Sequence, residues 1–157
     1  MKKINILLAE DQTMLLNALA TILDLEDNLH VVQSCANGKQ AFDYIQSDES
    51  ERVDIVLTDI EMPDMTGLEL AQKLFESKTP CKTVILTTFA RSGYLRRAMD
   101  SGVKGYLLKD SPSQDLIDAC LLYTSDASHY LLSFAFFCRL LLVLLPSFSL
   151  LHVSHIL

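Results

Sequence analysis

The chain has 157 residues with 20 acidic and 13 basic side chains, a formal net charge of −7 at neutral pH. This length suits one domain of ordinary size with a buried core. The acidic balance argues against a nucleic-acid surface, because contacts to phosphates need a basic stripe. The four cysteines show no C-x-x-C spacing, and no export signal opens the chain, so we expect buried thiols in a reducing cytoplasm.

The first half of the chain alternates apolar runs with amphipathic segments. Residues 4–9 predict a first strand, and a helix with apolar residues at 3.6-residue spacing follows it. Residues 31–35 predict a second strand, which leads through Asn37-Gly38 into a second helix. Residues 53–58 are rich in β-branched side chains and predict a buried parallel strand. The helix after it begins near Gly67 and is expected to face the sheet with Leu68, Ala71, Leu74 and Phe75.

The second half continues the alternation. A fourth strand is predicted over residues 83–88, followed by a helix that ends with Gly102 as its C′ residue. The fifth strand covers residues 103–108. Ser111 and Gln114 then predict a capping box at the start of a fifth helix. Five strand–helix pairs predict an α/β fold with a five-stranded parallel sheet and helices on both faces. The pattern resembles the flavodoxin-like fold, and that resemblance implies the strand order 2-1-3-4-5.

The composition changes after residue 119. Residues 1–119 carry all but one of the acids and all but one of the bases, and residues 120–157 are largely apolar. The apolar part is long enough for a membrane helix, but Arg139 and Pro146 interrupt it. The octapeptide 120–127 resembles the translation of a sequencing adapter. We therefore predict one domain over 1–119 with its fifth helix cut short, followed by a non-native tail over 120–157; a membrane helix and a soluble extension stay open as alternatives.

Five polar side chains fall at the ends of predicted strands: Glu10, Asp11, Asp59, Thr87 and Lys109. In an open parallel sheet the carboxyl ends of the strands line one crevice, and the flavodoxin-like strand order places the three acids around it. The acids repel one another unless they are countered, and Lys109 supplies only one positive charge. An all-oxygen site of this charge suits Mg²⁺. A carboxylate beside Mg²⁺ and a lysine is equipped for phosphoryl transfer, with Asp59 as the nucleophile.

These positions lie in four motifs that, together, resemble the receiver domain of two-component response regulators over residues 3–119. The motifs are Glu10-Asp11, Asp59-x-x-Met62-Pro63-x-x-x-Gly67, Leu86-Thr87 and Tyr106-Leu107-Leu108-Lys109. The stretch from Gly105 to Ser111 further resembles the LuxR/NarL-type subfamily, whose receivers precede a helix-turn-helix DNA-binding domain.

The resemblance implies a role for each site residue. Asp59 accepts a phosphoryl group from a sensor histidine kinase, and Lys109 stabilises the charge on that group. Asp11, Asp59 and the backbone carbonyl of Glu61 bind Mg²⁺, and Glu10 acts on the metal through water. The protein is then no enzyme but a phosphoacceptor switch that assists its own phosphorylation and dephosphorylation.

The resemblance also implies a readout. Thr87 and Tyr106 form the switch pair: Thr87 moves onto the phosphoryl oxygens, and the Tyr106 ring turns inward. The output is control of transcription, with DNA bound only through an effector domain that this chain lacks, and with homodimerisation on phosphorylation. No membrane partner is expected.

Two departures and two alternatives accompany this interpretation. Asp110 stands where receivers commonly carry a proline after a cis bond, so a trans bond is predicted. Phe89 stands where a polar residue often tunes the lifetime of the phosphate, so that lifetime is open. One alternative is a receiver-like module that only dimerises. The other is an aspartate-nucleophile phosphatase, because Glu61 provides an acid two residues after Asp59.

Overall fold

The computed structural model of the protein describes residues 3–48, 50–88 and 91–124. Strands and helices alternate through these residues without exception. In chain order they are β1 (Ile4–Ala9), α1 (Thr13–Asp24), β2 (Leu29–Cys35), α2 (Gly38–Gln46), β3 (Ile55–Thr58), α3 (Gly67–Glu76), β4 (Lys82–Thr87), α4 (Ser92–Asp100), β5 (Gly105–Leu108) and α5 (Ser113–Thr124).

The five strands form one parallel sheet in the order β2-β1-β3-β4-β5, which confirms the predicted fold class. The central pair runs in register, with Leu8 opposite Leu57. The backbone N–H of Asp59 still donates to the Ala9 carbonyl (2.9 Å), beyond the last residue of β3. The sheet's hydrogen bonding therefore fixes the backbone from which the Asp59 side chain projects.

Alternate residues of the strands point to opposite faces of the sheet, and each face is covered by helices. Ile6 and Leu8 pack in the cluster that contains the apolar faces of α1 and α5. Leu7 and Ala9 pack with α2 and α3, and a third cluster joins α3 to α4. Because both faces are buried, the strands are continuous apolar runs, as the sequence predicted.

Two predicted details of the helices are wrong. The Phe75 side chain does not face the sheet but is 62% exposed. The predicted capping box at α5 is absent: the helix begins at Ser113, one residue later than a cap at Ser111 requires, and the Gln114 amide donates to Asp118 (2.8 Å) instead. This i, i+4 pair satisfies the Gln114 side chain on the helix surface, so it is not available to reach back to the cap.

A capping box that was not predicted lies at the start of α3. The Thr66 hydroxyl accepts from the Glu69 backbone N–H (3.2 Å), and the Glu69 carboxylate accepts from the Thr66 backbone N–H (2.8 Å). Thr-x-x-Glu before an apolar run is a signature that could have been read from the sequence. At the end of α4, Gly102 adopts φ +69 as the C′ residue, which confirms that prediction.

Helix α5 continues past residue 119 as far as Thr124, and Cys120 and Tyr123 are buried against the sheet. The prediction of a non-native tail otherwise falls on residues 125–157, which lie outside the described part of the chain. Phe89 also lies outside it. None of the helices in the described ranges has the length and apolar character that crossing a membrane requires.

Candidate functional site

The sheet brings three acids and one lysine together at the carboxyl ends of β1, β3 and β5. Glu10 follows β1, Asp59 follows β3 and Lys109 follows β5. One carboxylate oxygen each from Glu10, Asp11 and Asp59 lie within 4.8 Å of one another. Glu10 and Asp59 are buried, whereas Asp11 is exposed at the mouth of the cluster. The predicted convergence of these acids is therefore what the fold produces.

Lys109 bridges the two buried acids. Its Nζ lies 2.7 Å from Glu10 Oε2 and 2.9 Å from Asp59 Oδ2, and all three side chains are buried. Burial acts to lower the pKa of Lys109, but the hydrogen bonds and charges of Glu10 and Asp59 outweigh it and raise that pKa. Burial raises the pKa of Glu10 more than the Lys109 ammonium lowers it. Lys109 consequently stays protonated and offsets only one of the clustered negative charges.

The second oxygen of each buried acid is held by the backbone. Asp59 Oδ1 accepts from the Ile60 N–H (2.7 Å), and Glu10 Oε1 accepts from the Gln12 N–H (3.1 Å). Each carboxylate is thus fixed at one oxygen by its own loop and at the other by Lys109. This arrangement pre-organises the charges, so that little rearrangement is needed when a negatively charged group arrives.

Gly67 allows the loop after β3 to close on Asp59. Its N–H donates to the Ile60 carbonyl (2.9 Å), and a Cβ at this position would lie 1.8 Å from the Asp59 backbone oxygen. Backbone atoms cannot move aside as a flexible side chain can. Glycine is therefore required here because two segments of backbone touch, which is a use of glycine that the sequence motif alone does not explain.

We expect Gly67→Ala to lower the free energy of unfolding by about 3 kcal/mol, the upper end of what an added methyl costs in a packed site. Urea unfolding followed by circular dichroism measures this change. Gly93→Ala is the matched control, because a Cβ there meets no atom within 4 Å. Equal unfolding midpoints for the two variants would contradict the role assigned to Gly67.

Thr87 and Tyr106 lie beside the acidic cluster on neighbouring strands. Thr87 is buried at the end of β4, and its backbone carbonyl accepts from the Lys109 N–H (2.8 Å). The Tyr106 ring is buried among side chains of α3 and α4, and its hydroxyl has no hydrogen-bond partner among the described residues. Burial, with smaller contributions from Tyr94 and Asp59, raises the pKa of Tyr106 to about 12. The Tyr106 ring is thus buried in this structure, and the movement of Thr87 and Tyr106 on phosphorylation stays a prediction.

Tyr106→Phe is expected to leave the free energy of unfolding unchanged or to raise it by up to about 1 kcal/mol, because it removes a buried hydroxyl that lacks a partner. Thermal and urea unfolding test this expectation. Tyr44→Phe serves for comparison, since the Tyr44 hydroxyl accepts from the Glu51 N–H (3.2 Å) and its loss is expected to be slightly destabilising. A clear loss of stability in Tyr106→Phe would reveal a partner for the hydroxyl.

The Glu61 side chain stands apart from the acidic cluster. Its Oε1 accepts from the Tyr94 hydroxyl (3.0 Å) and lies 3.9 Å from Arg91 Nη1. Both partners belong to the start of α4. The predicted contribution of Glu61 to the metal was its backbone carbonyl, which these contacts leave unaffected. They do, however, direct the Glu61 carboxylate towards α4, whereas a phosphatase would need this carboxylate beside Asp59.

The donor set fits Mg²⁺. Asp11 and Asp59 offer carboxylate oxygens for direct contact, Glu10 offers one for contact through water, and one face of the cluster opens to solvent at Asp11. Mg²⁺ binds through a few carboxylates and keeps several of its waters. The positive charge of Lys109 leaves the cluster with net negative charge, as a site for a divalent cation requires.

The predicted trans bond before Asp110 is also present, and the described residues contain no cis peptide bond.

Comparison with known proteins identifies the class to which this fold and site belong. The family model for the response regulator receiver domain matches residues 6–121. The chain therefore belongs to the response regulator receiver domain family, which confirms the resemblance seen in the sequence. Receiver domains generally bind Mg²⁺ at an acidic pocket, in agreement with the cluster around Asp59.

Curated relatives narrow the comparison. The chain is 52% identical over 116 residues to the transcriptional regulatory protein DesR of Bacillus subtilis, an alignment that covers 74% of this chain and 56% of DesR. It is 34% identical over 113 residues to the oxygen regulatory protein NreC of Staphylococcus epidermidis, covering 71% of this chain and 50% of NreC. The chain thus spans about half the length of the curated relatives it matches.

Solved structures of response regulators resemble this chain in fold. A DNA-binding response regulator of the LuxR family from Staphylococcus aureus superposes with a TM-score of 0.72 at 30% identity, covering 78% of this chain and 99% of that one. The signal receiver domain of NarL from Mycobacterium tuberculosis gives a TM-score of 0.71 at 23% identity over 77% of this chain and 95% of that one, a similarity of fold. The chain is accordingly a receiver of the LuxR/NarL type.

Proposed function

We propose that this receiver domain is a phosphoacceptor switch in which Asp59 accepts a phosphoryl group from a sensor histidine kinase. The observation that carries the proposal is the arrangement around Asp59: two further acids within 4.8 Å and a buried lysine at 2.9 Å. A solvated carboxylate at a strand end would need none of these neighbours. Sensor kinases are the phosphoryl donors of the family to which the chain belongs.

The transfer uses groups that the fold already holds in place. An Asp59 carboxylate oxygen attacks phosphorus, the O–P bond forms, and the bond between phosphorus and the donor's imidazole nitrogen breaks; the imidazole leaves with a proton from solvent. When bound, Mg²⁺ supplies positive charge to the phosphoryl oxygens. Lys109 leaves Asp59 Oδ2 and donates to a phosphoryl oxygen, while the Ile60 N–H keeps the other Asp59 oxygen in place.

Hydrolysis makes the switch temporary. Attack of water on phosphorus breaks the O–P bond of the acyl phosphate, releases inorganic phosphate and restores the Asp59 carboxylate. The same cluster of charges assists both steps, so the domain promotes its own phosphorylation and dephosphorylation without turning over a separate substrate. It is thus a switch and no enzyme in the ordinary sense.

The readout runs through Thr87 and Tyr106. The Thr87 hydroxyl donates to a phosphoryl oxygen, and this movement favours the inward orientation of the Tyr106 ring, which packs against α3 and α4. A local change in charge thereby biases how α4 and β5 pack. The face formed by α4, β5 and α5, or a homodimer through α1 and α5, then transmits the signal.

The output is control of transcription in the cytoplasm. The relatives are named as transcriptional regulatory proteins, and a structural neighbour is named as a DNA-binding response regulator. DNA would be contacted only through an effector domain, because the receiver itself is acidic. Neither alternative gains support: the Glu61 carboxylate contacts α4, away from a phosphatase's second acid, and the intact cluster has no purpose in a module that only dimerises.

The test is labelling of the purified chain with [³²P]acetyl phosphate. With MgCl₂ we expect up to one phosphate per chain, bound in an acid-stable and base-labile form typical of an acyl phosphate. With EDTA in place of MgCl₂, incorporation should fall to background. Binding of BeF₃⁻ under the same two conditions provides a second readout. Absence of both labelling and BeF₃⁻ binding would remove the phosphoacceptor function, whereas continuous release of phosphate from an ester substrate would favour the phosphatase.

A further inference from the structure

A basic cleft lies at the end of the sheet opposite Asp59. It is formed by the end of α3, the start of β4 and the turn from α4 to β5, and its volume is about 310 Å³. Strand β4 is six residues long and runs from Lys82 in the cleft to Thr87 beside Asp59. At about 3.3 Å per residue, the two ends lie roughly 16 Å apart. The cleft is therefore a separate feature from the phosphoacceptor site.

The charge of the cleft is opposite to that of the chain. Among the described residues that line it, none is acidic and three are lysines: Lys78, Lys82 and Lys104. Lys82 Nζ donates to the backbone carbonyl of Tyr123. Lys78 and Lys104 are exposed and form no ion pair with any described residue. Uncompensated ammonium groups around a concave surface attract anions, and in a chain of net charge −7 such a surface is unusual.

Lys78 is held in a backbone conformation that lysine disfavours. It is the residue after the C-cap of α3, where its N–H donates to the Phe75 carbonyl (3.1 Å), and its φ is 54°. Glycine or asparagine usually occupies such a position, because a Cβ is crowded in the left-handed region. The Thr79 N–H donates to the Leu74 carbonyl (3.1 Å), so the two bonds form a Schellman motif that ends α3 and places Lys78 at the rim of the basic cleft.

The basic cleft also contains the exposed ring of Phe75, which lies against Gly102. A Cβ on Gly102 would lie 2.5 Å from Cδ2 of the ring, so the ring rests directly on the glycine backbone. This contact holds the ring at the cleft wall although its side chain is 62% exposed. An aromatic ring that is both exposed and fixed is a platform on which a planar group can stack.

We propose that this cleft binds a small molecule that combines phosphate groups with an aromatic ring, namely a nucleoside diphosphate. The phosphates contact the ammonium groups of Lys78 and Lys104, with the charge of Lys82 adding to the attraction, and the base stacks on Phe75. Lysine is a phosphate ligand with three rotatable donors, which suits a mobile diphosphate. The volume of the cleft falls at the lower end of the range of small-molecule sites.

Equilibrium dialysis of the full 157-residue chain against radiolabelled ADP tests the proposal. EDTA is present throughout, so that no metal–nucleotide complex forms at the acidic site. We expect saturable binding of one ADP per chain that weakens as NaCl is raised, because the phosphate contacts are screened. Pyrophosphate and adenosine, each lacking one of the two recognised groups, should bind at least about tenfold more weakly.

Three results would overturn the proposal. Absence of saturation by ADP would remove the site, and equal affinity for pyrophosphate and ADP would remove the role of Phe75 and hence the nucleoside. Tighter binding of a polyglutamate peptide than of ADP would assign the cleft to an acidic protein segment instead.

Variants separate binding from folding. Lys78→Gly relieves the left-handed backbone, so we expect a higher unfolding midpoint together with about tenfold weaker ADP binding. Phe75→Ala should weaken binding of ADP but not of pyrophosphate. Lys73→Ala is the control for loss of a nearby lysine, because Lys73 lies on α3 with its Nζ over the Phe42 ring (5.7 Å) and outside the cleft. If Lys73→Ala and Lys78→Gly lost the same amount of ADP affinity, the loss would come from the lower overall charge and not from a contact in the cleft. Asp59→Asn should bind ADP normally, which keeps this proposal independent of the phosphoacceptor site.

Discussion

Asp59→Asn is expected to reduce phosphate incorporation from [³²P]acetyl phosphate to background while the domain stays folded. The amide nitrogen is not a nucleophile towards phosphorus, and replacing one carboxylate also removes a ligand for the metal. The backbone contact can persist, since the Asn Oδ1 can accept from the Ile60 N–H as Asp59 Oδ1 does at 2.7 Å. We therefore expect a loss of at least about 100-fold in labelling with an unchanged far-ultraviolet circular dichroism spectrum.

Two controls make this result specific. Asp100→Asn removes the same charge from an exposed position on α4 and should label like the unaltered chain. Peptide mapping of the labelled chain should place the phosphate on the segment that contains Asp59. Stoichiometric label on Asp59→Asn would assign the phosphoacceptor to another side chain, with Asp11 as the nearest exposed acid of the cluster.

Lys109→Met is expected to be the most destabilising single change in the site. It leaves the carboxylates of Glu10 and Asp59 buried without the ammonium that now lies 2.7 and 2.9 Å from them. Removing one partner of a buried ion pair typically costs about 3–5 kcal/mol, most of it from the uncompensated charge that remains. Urea unfolding in EDTA should show this loss, and labelling by acetyl phosphate should fall as well.

The cause of the stability loss in Lys109→Met can be tested directly. If it comes from uncompensated charge, MgCl₂ should restore more stability to Lys109→Met than it adds to the unaltered chain, because the metal then meets three unopposed carboxylates. Glu10→Gln combined with Lys109→Met should also be more stable than Lys109→Met alone. Lys104→Met changes an exposed lysine and should stay within about 0.5 kcal/mol. A loss in Lys109→Met that neither MgCl₂ nor Glu10→Gln repairs would point to lost packing instead.

The basic cleft and the acidic site give the domain opposite charges at its two ends. The acids gather where β1 and β3 end, and the lysines gather where β4 and β5 begin. All five strands are parallel, so each end of the sheet is built from one kind of strand terminus. A ligand in the cleft would contact the end of α3 and the turn after α4. Side chains of the same two helices pack around Tyr106.

The alternation of strands and helices, their buried faces and the acids at the strand ends follow from the amino-acid sequence, and the strand order follows from its resemblance to a known fold. Apolar runs of strand length specify strands buried on both faces, and alternation with helices makes them parallel. Parallel strands place their carboxyl ends at one edge, so Glu10, Asp11 and Asp59 could be brought together without coordinates. The motif that begins at Asp59 and the motif that ends at Lys109 then indicated a receiver domain.

The partner that each side chain takes depends on how the elements pack in the tertiary structure. Lys109 contacts both Glu10 and Asp59 because its long side chain reaches past β4 from the edge of the sheet. Phe75 lies outside the core because the end of α3 leaves it against Gly102 rather than against the sheet. These contacts join residues far apart in the chain. Periodicity specifies which face of an element is buried, whereas the particular atoms that touch depend on how separate elements pack at their ends, where no local pattern carries the information.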